Sequence, residues 1–271
     1  MAVAISRERG QNMLIAVNAG NRHVQLGGYE EDARVFAASI ATEPRYTADD
    51  YACRLQQVFG LYGVDAGRIR GAAVGSVVPG LAAVLRDALH LLGVKDVILV
   101  SSGVKTGLNI RSEQPQQVGA DRVAAAVAAK ARGKLPCVVV DCGAATTFTV
   151  LDQDGALVAS AITAGVRMSL DALHAQSAQL PTVALDDGVR YDVLARNTAD
   201  AMRVGAVVGA AAMIDGMVAR YAEALGETPQ VWLTGEGGQL VARHIETCWD
   251  GADDLVFEGL RLIWEKNHPN R

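Results

Sequence analysis

The chain has 271 residues, half of them hydrophobic, and a formal charge of -5. That length and apolar content suffice for one large core or two smaller ones, so a soluble globular protein of one or two lobes is expected. Lys and Arg are scattered rather than clustered, which argues against nucleic acid or anionic lipid and favours small molecules or other proteins as partners.

The four cysteines, Cys53, Cys137, Cys142 and Cys248, have neither zinc-ligand spacing nor the density of a secreted disulfide scaffold. They are expected to be reduced, mostly buried thiols of a cytoplasmic protein. The opening MAVAISRERGQN carries charges where a signal peptide needs an apolar run. The most apolar later stretch, GAVVGAAAMIDGM, is interrupted by Asp215, short of the roughly 18 residues that span a bilayer. Neither export nor membrane spanning is expected.

In chain order, LIAVNAGNRHVQL at 14–26 is a short apolar run, a Gly-containing polar turn and a second alternating run, the pattern of a β-hairpin. More strand follows in RVFAASI. A helix is predicted at 47–62, where Ala52, Leu55, Val58, Phe59 and Tyr62 keep one face largely apolar and Thr47 with Asp50 resembles a capping box. Next come a strand GAAVGSVV, a helix over 80–92 between Pro79 and Gly93, the buried-looking strand DVILVS, an Ala-rich helix over 121–132, and a connector RGKLP at 132–136.

The order then repeats. VVVDCGAATTFTVL at 138–151 is a second hairpin, followed by the strand ALVASAIT, a helix around Ser169 to Gln176, a long helix over 198–225, the strand QVWLTG, and helices on both sides of DDLVFEG. A β-β-β-α-β-α unit used twice describes this economically, and two related lobes would set their hairpin turns opposite one another across a cleft. The competing reading is two coincidental hairpins in an Ala- and Gly-rich chain. In the first turn Asn18 stands where the second has Asp141.

Turns such as NAGN and DCGAATT can aim backbone N–H groups and hydroxyls at a phosphate while a neighbouring acid holds a cation. Ordinary hairpins use the same turn chemistry and bind nothing. With neither GxxxxGK nor GxGxxG in the sequence, a phosphate site has to be of this hairpin kind. The five histidines show no metal-ligand spacing and are expected to be surface or packing residues.

From Met13 to Asn267 the chain resembles the type III pantothenate kinases, the Bvg accessory factor family. The motifs are NAGNRHV, in the place of the family's Asp-x-Gly-Asn-Thr loop, then SVVPGL, GLNIR, VGADRVAAAVAA, VVVDCGAATTF, AGVRMSLDAL, NTADAMRVG, VWLTGEGG and LVFEGLRLIWEKN. The resemblance implies an α/β duplicated actin-like (ribonuclease H-like) fold, each lobe a mixed sheet flanked by helices. It places residues 1–12 as an N-terminal extension, 13–133 as the first lobe and 134–271 as the second. It further implies a cytoplasmic homodimer that phosphorylates pantothenate with ATP at the start of coenzyme A biosynthesis, using Mg²⁺ and a monovalent cation, K⁺ or NH₄⁺.

By resemblance Asp121 is the general base. A carboxylate that accepts the hydroxyl proton suits such a transfer, although an acid in the first turn of a helix is also explained by the dipole. Gly119, Ala120, Asp121, Arg122, Thr198 and Ser112 are assigned to substrate. Arg122 could equally form a surface ion pair, and Asn197 or Thr198 could cap the long helix. Asn18, Gly20, Asn21, Arg22, Gly143, Ala144, Thr146, Thr147 and Gly235 are assigned to ATP, and Asp141 to the monovalent cation.

The departures from the family pattern fall mostly on the ATP side: Asn18 for the first-loop acid, Arg22 and His23 for Thr-Asn, and Ala144 for a Thr. Ser112 stands near a usual Tyr, and Glu236 interrupts a Gly-Gly pair. Two functional classes follow, a kinase acting on pantothenate or another small hydroxylated substrate, and a catalytically impaired paralogue that binds small molecules or regulates. An actin-like filament or chaperone subunit is disfavoured by the lack of insertions.

Overall fold

In the computed structural model, which describes residues 13–101 and 103–269, the chain divides into two compact units. One takes in the described residues up to Gly107, Gln116–Val127 and the chain from Val256; the other takes in Leu108–Pro115 and Ala128–Leu255. The expected extension over residues 1–12 lies outside the described residues.

The first unit is built on strands β1 (Met13–Ala19), β2 (His23–Glu30), β3 (Ala33–Ala41), β4 (Ile69–Ser76) and β5 (Val97–Leu99), in the order β3-β2-β1-β4-β5. Helices α1 (Ala48–Leu61) and α2 (Leu81–Leu91) cover one face, where Ile15, Val17, Leu26 and Val74 meet Leu55, Phe59, Leu85 and Leu89 in one buried cluster. Period-two alternation puts Leu14, Ala16 and Asn18 on the opposite face. The capping box at the start of α1 is present: Thr47 Oγ1 accepts from the Asp50 N–H, and an Asp50 carboxylate oxygen accepts from the Thr47 N–H.

That opposite face is lined with small residues so that α8 (Leu255–Asn267) can lie close to it. A Cβ on Gly27 would stand 3.2 Å from the Phe257 ring, and one on Gly75 would stand 3.3 Å from Leu260. Helix α3 (Ala120–Ala131) meets α8 at Gly259, where an added Cβ would fall onto the Ala124 carbonyl and within 2.9 Å of the Ala124 Cα.

The second unit repeats the plan. Strands β6 (Cys137–Cys142), β7 (Ala145–Leu151), β8 (Leu157–Ala164), β9 (Gln230–Thr234) and β10 (Asp250–Gly251) are ordered β10-β9-β6-β7-β8, which is the first sheet's order again. Helices α4 (Val166–Gln176), α5 (Thr198–Arg203), α6 (Gly209–Leu225) and the short α7 (Gly238–Val241) complete it. Val138, Val140, Phe148 and Leu233 are buried against Leu170, Met202, Val207 and Ile214. Each sheet therefore carries an antiparallel hairpin beside a parallel crossover strand, the duplication expected from the sequence.

Several local expectations are corrected. DVILVS is half-buried rather than buried, because β5 is an edge strand. The long helix over 198–225 contains a π-helical segment, Val204–Val208, and π turns of this kind often sit beside functional sites. DDLVFEG does not separate two helices evenly; α8 begins inside it at Leu255. Cys137 and Cys142 are buried, whereas Cys53 and Cys248 are exposed.

By length and composition the run Thr198–Leu225 is the one helix among the described residues long and apolar enough to cross a membrane, with a best-window mean hydropathy of 1.5. Met202, Val207, Ala211, Ile214 and Val218 on it face the core of the second unit, and Arg203 is held by Asp200 at 2.8 Å. A core-facing helix accounts for the same hydropathy.

Candidate active site

At the carboxyl end of the first sheet, β1 and β2 are joined by the turn Gly20–Asn21–Arg22. Its tip is held from within: the Gly20 N–H donates to the His23 carbonyl (2.9 Å), the Thr42 N–H donates to the Arg22 carbonyl (2.9 Å), and Thr42 Oγ1 donates to the Gly20 carbonyl (2.7 Å). Asn21 and Arg22 are exposed. Asn18 pairs with Gln25 on β2 and with Gly75 on β4 in register, and its Nδ2 donates to Gln25 Oε1 at 3.3 Å.

Helix α3 starts beside the same strand end. A Cβ on Gly75 would lie 3.5 Å from the Ala120 Cβ, so Gly75 links the Asn18 register position to the helix start. Asp121, in the first turn, folds back on itself: its Oδ1 accepts from the Arg122 N–H at 2.7 Å and would lie 2.5 Å from a Cβ on Gly119. Gly119 thus makes room for the carboxylate at the start of the helix. Arg122 is half-buried and makes no ion pair among the described residues, so the surface-pair alternative is not realised.

In the second unit Asp141 holds the position of Asn18, the penultimate residue of its strand. It pairs with Thr147 on β7 and Thr234 on β9, and register places these three side chains on one face of the sheet. Thr146 goes to the other face, opposite Cys142, and is 1% exposed. Thr147 alone of the two threonines therefore shares the Asp141 face.

Two backbone segments, at Gly165 and at Gly235–Gly238, close around the Gly143–Ala144 turn, and the second is folded on itself. The Gly165 N–H donates to the Ala144 carbonyl (3.1 Å), the Gly237 N–H to the Cys142 carbonyl (2.7 Å), and the Gly238 N–H to the Gly235 carbonyl (2.9 Å). Gly235 adopts φ +90°, and a Cβ there would overlap Asp141 Oδ1 and stand 2.8 Å from the Cys142 N and C atoms. Burial, with the Asp141 charge as a lesser cause, pushes the Cys142 thiol up to about 12. The thiol therefore stays neutral and adds no second charge beside Asp141.

Thr198 opens α5 and is exposed, while Asn197 is the cap: its Oδ1 accepts from the Asp200 N–H at 2.9 Å. Ser112 is exposed and its Oγ accepts from the Gln114 N–H. Its neighbour Arg111 is structural. The Arg111 N–H bonds to the Leu157 carbonyl, and its guanidinium meets Asp152 at 2.8 Å.

The family model described as type III pantothenate kinase matches residues 14–220. A type III pantothenate kinase of Anaeromyxobacter sp. (strain Fw109-5) is 38% identical over 94% of this chain and 100% of its own length. That of Rhodospirillum rubrum is 36% identical over 95% and 100%.

The chain belongs to the type III pantothenate kinase family.

Solved structures agree on the fold. A conserved putative Baf family transcriptional activator from Campylobacter jejuni superposes with a TM-score of 0.57 at 18% identity, over 95% of this chain and 100% of that one. MreB 5 of Spiroplasma citri bound to AMPPNP gives 0.55 at 13% identity, over 97% and 98%. Such identities establish the duplicated actin-like architecture and nothing finer.

For this type III pantothenate kinase family member, sequence reasoning missed Gln25, Thr42, Gly75, Gly165 and Thr234. Register alone identifies Gln25, Gly75 and Thr234, because each is the cross-strand neighbour of Asn18 or Asp141. Thr42 and Gly165 have no pattern in the sequence; they reach the turns only through the return of the third strand. Among the described residues no group of three or more His, Cys, Asp or Glu is arranged to hold a metal ion. Neither turn thus brings together an acidic cluster among the described residues.

Proposed function

We propose that the protein transfers the γ-phosphoryl group of ATP to the primary hydroxyl of pantothenate, giving ADP and 4'-phosphopantothenate, the first step of coenzyme A biosynthesis. The observation that carries this reading is the intact Gly119–Ala120–Asp121–Arg122 segment at the start of α3, with the Asp121 carboxylate folded over Gly119, in a chain of this family. Asp121 accepts the hydroxyl proton as the oxygen attacks the γ-phosphorus and the bond to the β-phosphate oxygen breaks, so ADP leaves. The unpaired Arg122 guanidinium meets the pantothenate carboxylate. Thr198, with its hydroxyl uncommitted to capping, and Ser112 contact substrate.

In this reading Asp141 holds the monovalent cation, Gly143, Ala144, Thr147 and Gly235 line the nucleotide side, and Mg²⁺ arrives as part of the ATP complex, since it is commonly bound through phosphates and water. The protein acts in the cytoplasm, where ATP is supplied. Purified protein given pantothenate, ATP, Mg²⁺ and K⁺ is expected to yield ADP and phosphorylated product in equal amounts, with turnover falling when K⁺ is replaced by Na⁺. Absence of turnover, with none gained in the double variant Asn18→Asp, Arg22→Thr, overturns the assignment.

The reading includes a homodimer. Along the helical run Ala201, Gly205, Gly209 and Ala212 form an exposed ridge of small residues, and nothing lies within 4 Å of a Cβ added at Gly205 or Gly209. Small residues let a second helix approach closely, so the ridge suits a copy of itself. Light scattering is expected to give twice the chain mass of 28.4 kDa; a monomer at micromolar concentration rules the dimer out.

A further inference from the structure

Between α4 and α5 the chain runs from Ser177 to Asn197 with no helix or strand, and it ends at Asn197, the N-cap that precedes Thr198. Loops beyond about 12–15 residues without regular structure are uncommon in compact domains and usually functional. The first half of this strap is well fastened. His174 Nδ1 lies 2.7 Å from the Leu180 carbonyl, Arg203 Nε donates to the Ala184 carbonyl at 3.0 Å, and Leu180, Val183 and Leu185 pack on the second core.

The second half hangs on one residue. The Tyr191 N–H donates to His244 Nε2 at 3.2 Å, and the two rings stack with centroids 6.0 Å apart and 14° between their planes. From Asp192 to Arg196 the strap has no hydrogen bond to a distant segment among the described residues; the Leu194 N–H turns back to Asp192 Oδ1. His244 itself sits on anchored chain. Asp215 of α6 accepts from the Glu246 N–H at 3.0 Å and from the Thr247 N–H at 2.8 Å, and Ile245 packs on the core. This accounts for the acid that interrupts the apolar run of α6.

A backbone N–H can only donate, so the contact requires a neutral His244 with its lone pair on Nε2. A protonated imidazole carries N–H on both nitrogens and opposes the Tyr191 amide. Charged groups near the contact are Arg243 and Glu246 in the His244 segment, Asp215 on α6, and Asp186, Asp187, Arg190 and Asp192 on the strap; Asp187 is paired with Arg167 of α4 at 3.9 Å. We propose that neutral His244 is a positioning residue that latches the strap through Tyr191 and so holds Thr198 in place for substrate, and that its protonation releases the latch. The proposal rests on the reading of Thr198 as a pantothenate contact and deepens it.

The test is steady-state kinetics of the full chain at saturating ATP from about pH 5.5 to 8, where imidazoles titrate. Hydrogen exchange of the Tyr191–Asn197 peptide, corrected for its intrinsic pH dependence, is followed over the same range. The wild type is expected to show a pantothenate KM about tenfold higher at the acid end, with that peptide exchanging faster by a like factor. His244→Phe keeps the stack and removes the acceptor, so its pantothenate KM is expected to be raised about tenfold at every pH, with kcat within about twofold of wild type. His244→Gln offers an amide oxygen in place of Nε2 and does not titrate, so it is expected to keep the low KM across the range. The KM for ATP is expected to stay within about twofold throughout, which a general loss of packing would not allow.

Pantothenate KM and strap exchange independent of pH in the wild type, an acid rise that persists in His244→Gln, or wild-type KM in His244→Phe each overturns the proposal. Wild type and His244→Gln decide the question even where His244→Phe fails to fold. The expected exchange pattern without any pantothenate turnover supports the latch and overturns the kinase reading alone.

Discussion

Asp121→Asn is expected to lower kcat about a hundred- to ten-thousandfold, the usual range for removing a positioned general base, with the melting temperature and pantothenate KM close to wild type. The amide is isosteric, and its oxygen can still accept the Arg122 N–H that fixes the side chain over Gly119. It cannot take the proton released as the hydroxyl attacks phosphorus. The loss thus appears in the chemical step rather than in binding, the signature of an interaction made in the transition state. Unchanged kcat removes Asp121 as the base, and a lowered melting temperature assigns it to helix stability instead.

Gly235→Ala is expected to damage the second turn more than any exposed substitution, lowering stability by about 2–4 kcal/mol and abolishing the K⁺ dependence of turnover. Two costs combine. A φ of +90° strains an L side chain, and the new methyl would run into Asp141 Oδ1 and into the Cys142 backbone at 2.8 Å. Backbone cannot move aside as a flexible side chain does, so the strain passes to Asp141 and to the β6 strand end. Gly226→Ala isolates the first cost, since Gly226 has φ +72° at the end of α6 with nothing within 4 Å of its Cβ position. A drop in melting temperature no larger than that of Gly226→Ala, with K⁺ dependence retained, refutes the steric argument.

The contrast between these two positions follows from what each residue touches. Asp121 sits on a helix whose apolar spacing and Ala content are plain in the sequence, and its role depends on a motif that is read in one dimension. Gly235 ends a strand, where a glycine is unremarkable. Its importance comes from lying against Asp141, a residue far away in the chain whose position is set by the parallel pairing of β6 with β9.

The local alternation, the capping box at Thr47, the two hairpins and their repetition are legible in the residues alone, because period-two and period-3.6 patterns and turn chemistry act over a few residues. The sequence also carried the family, through an ordered set of motifs. Tertiary structure alone decided that Thr147 rather than Thr146 shares a face with Asp141. It also decided that Asn18 is occupied by Gln25, that Thr42 locks the first turn, and that β5 is a half-buried edge. Each of these depends on register or on which strand lies beside which, and pairing between distant segments leaves no periodic mark on either segment alone.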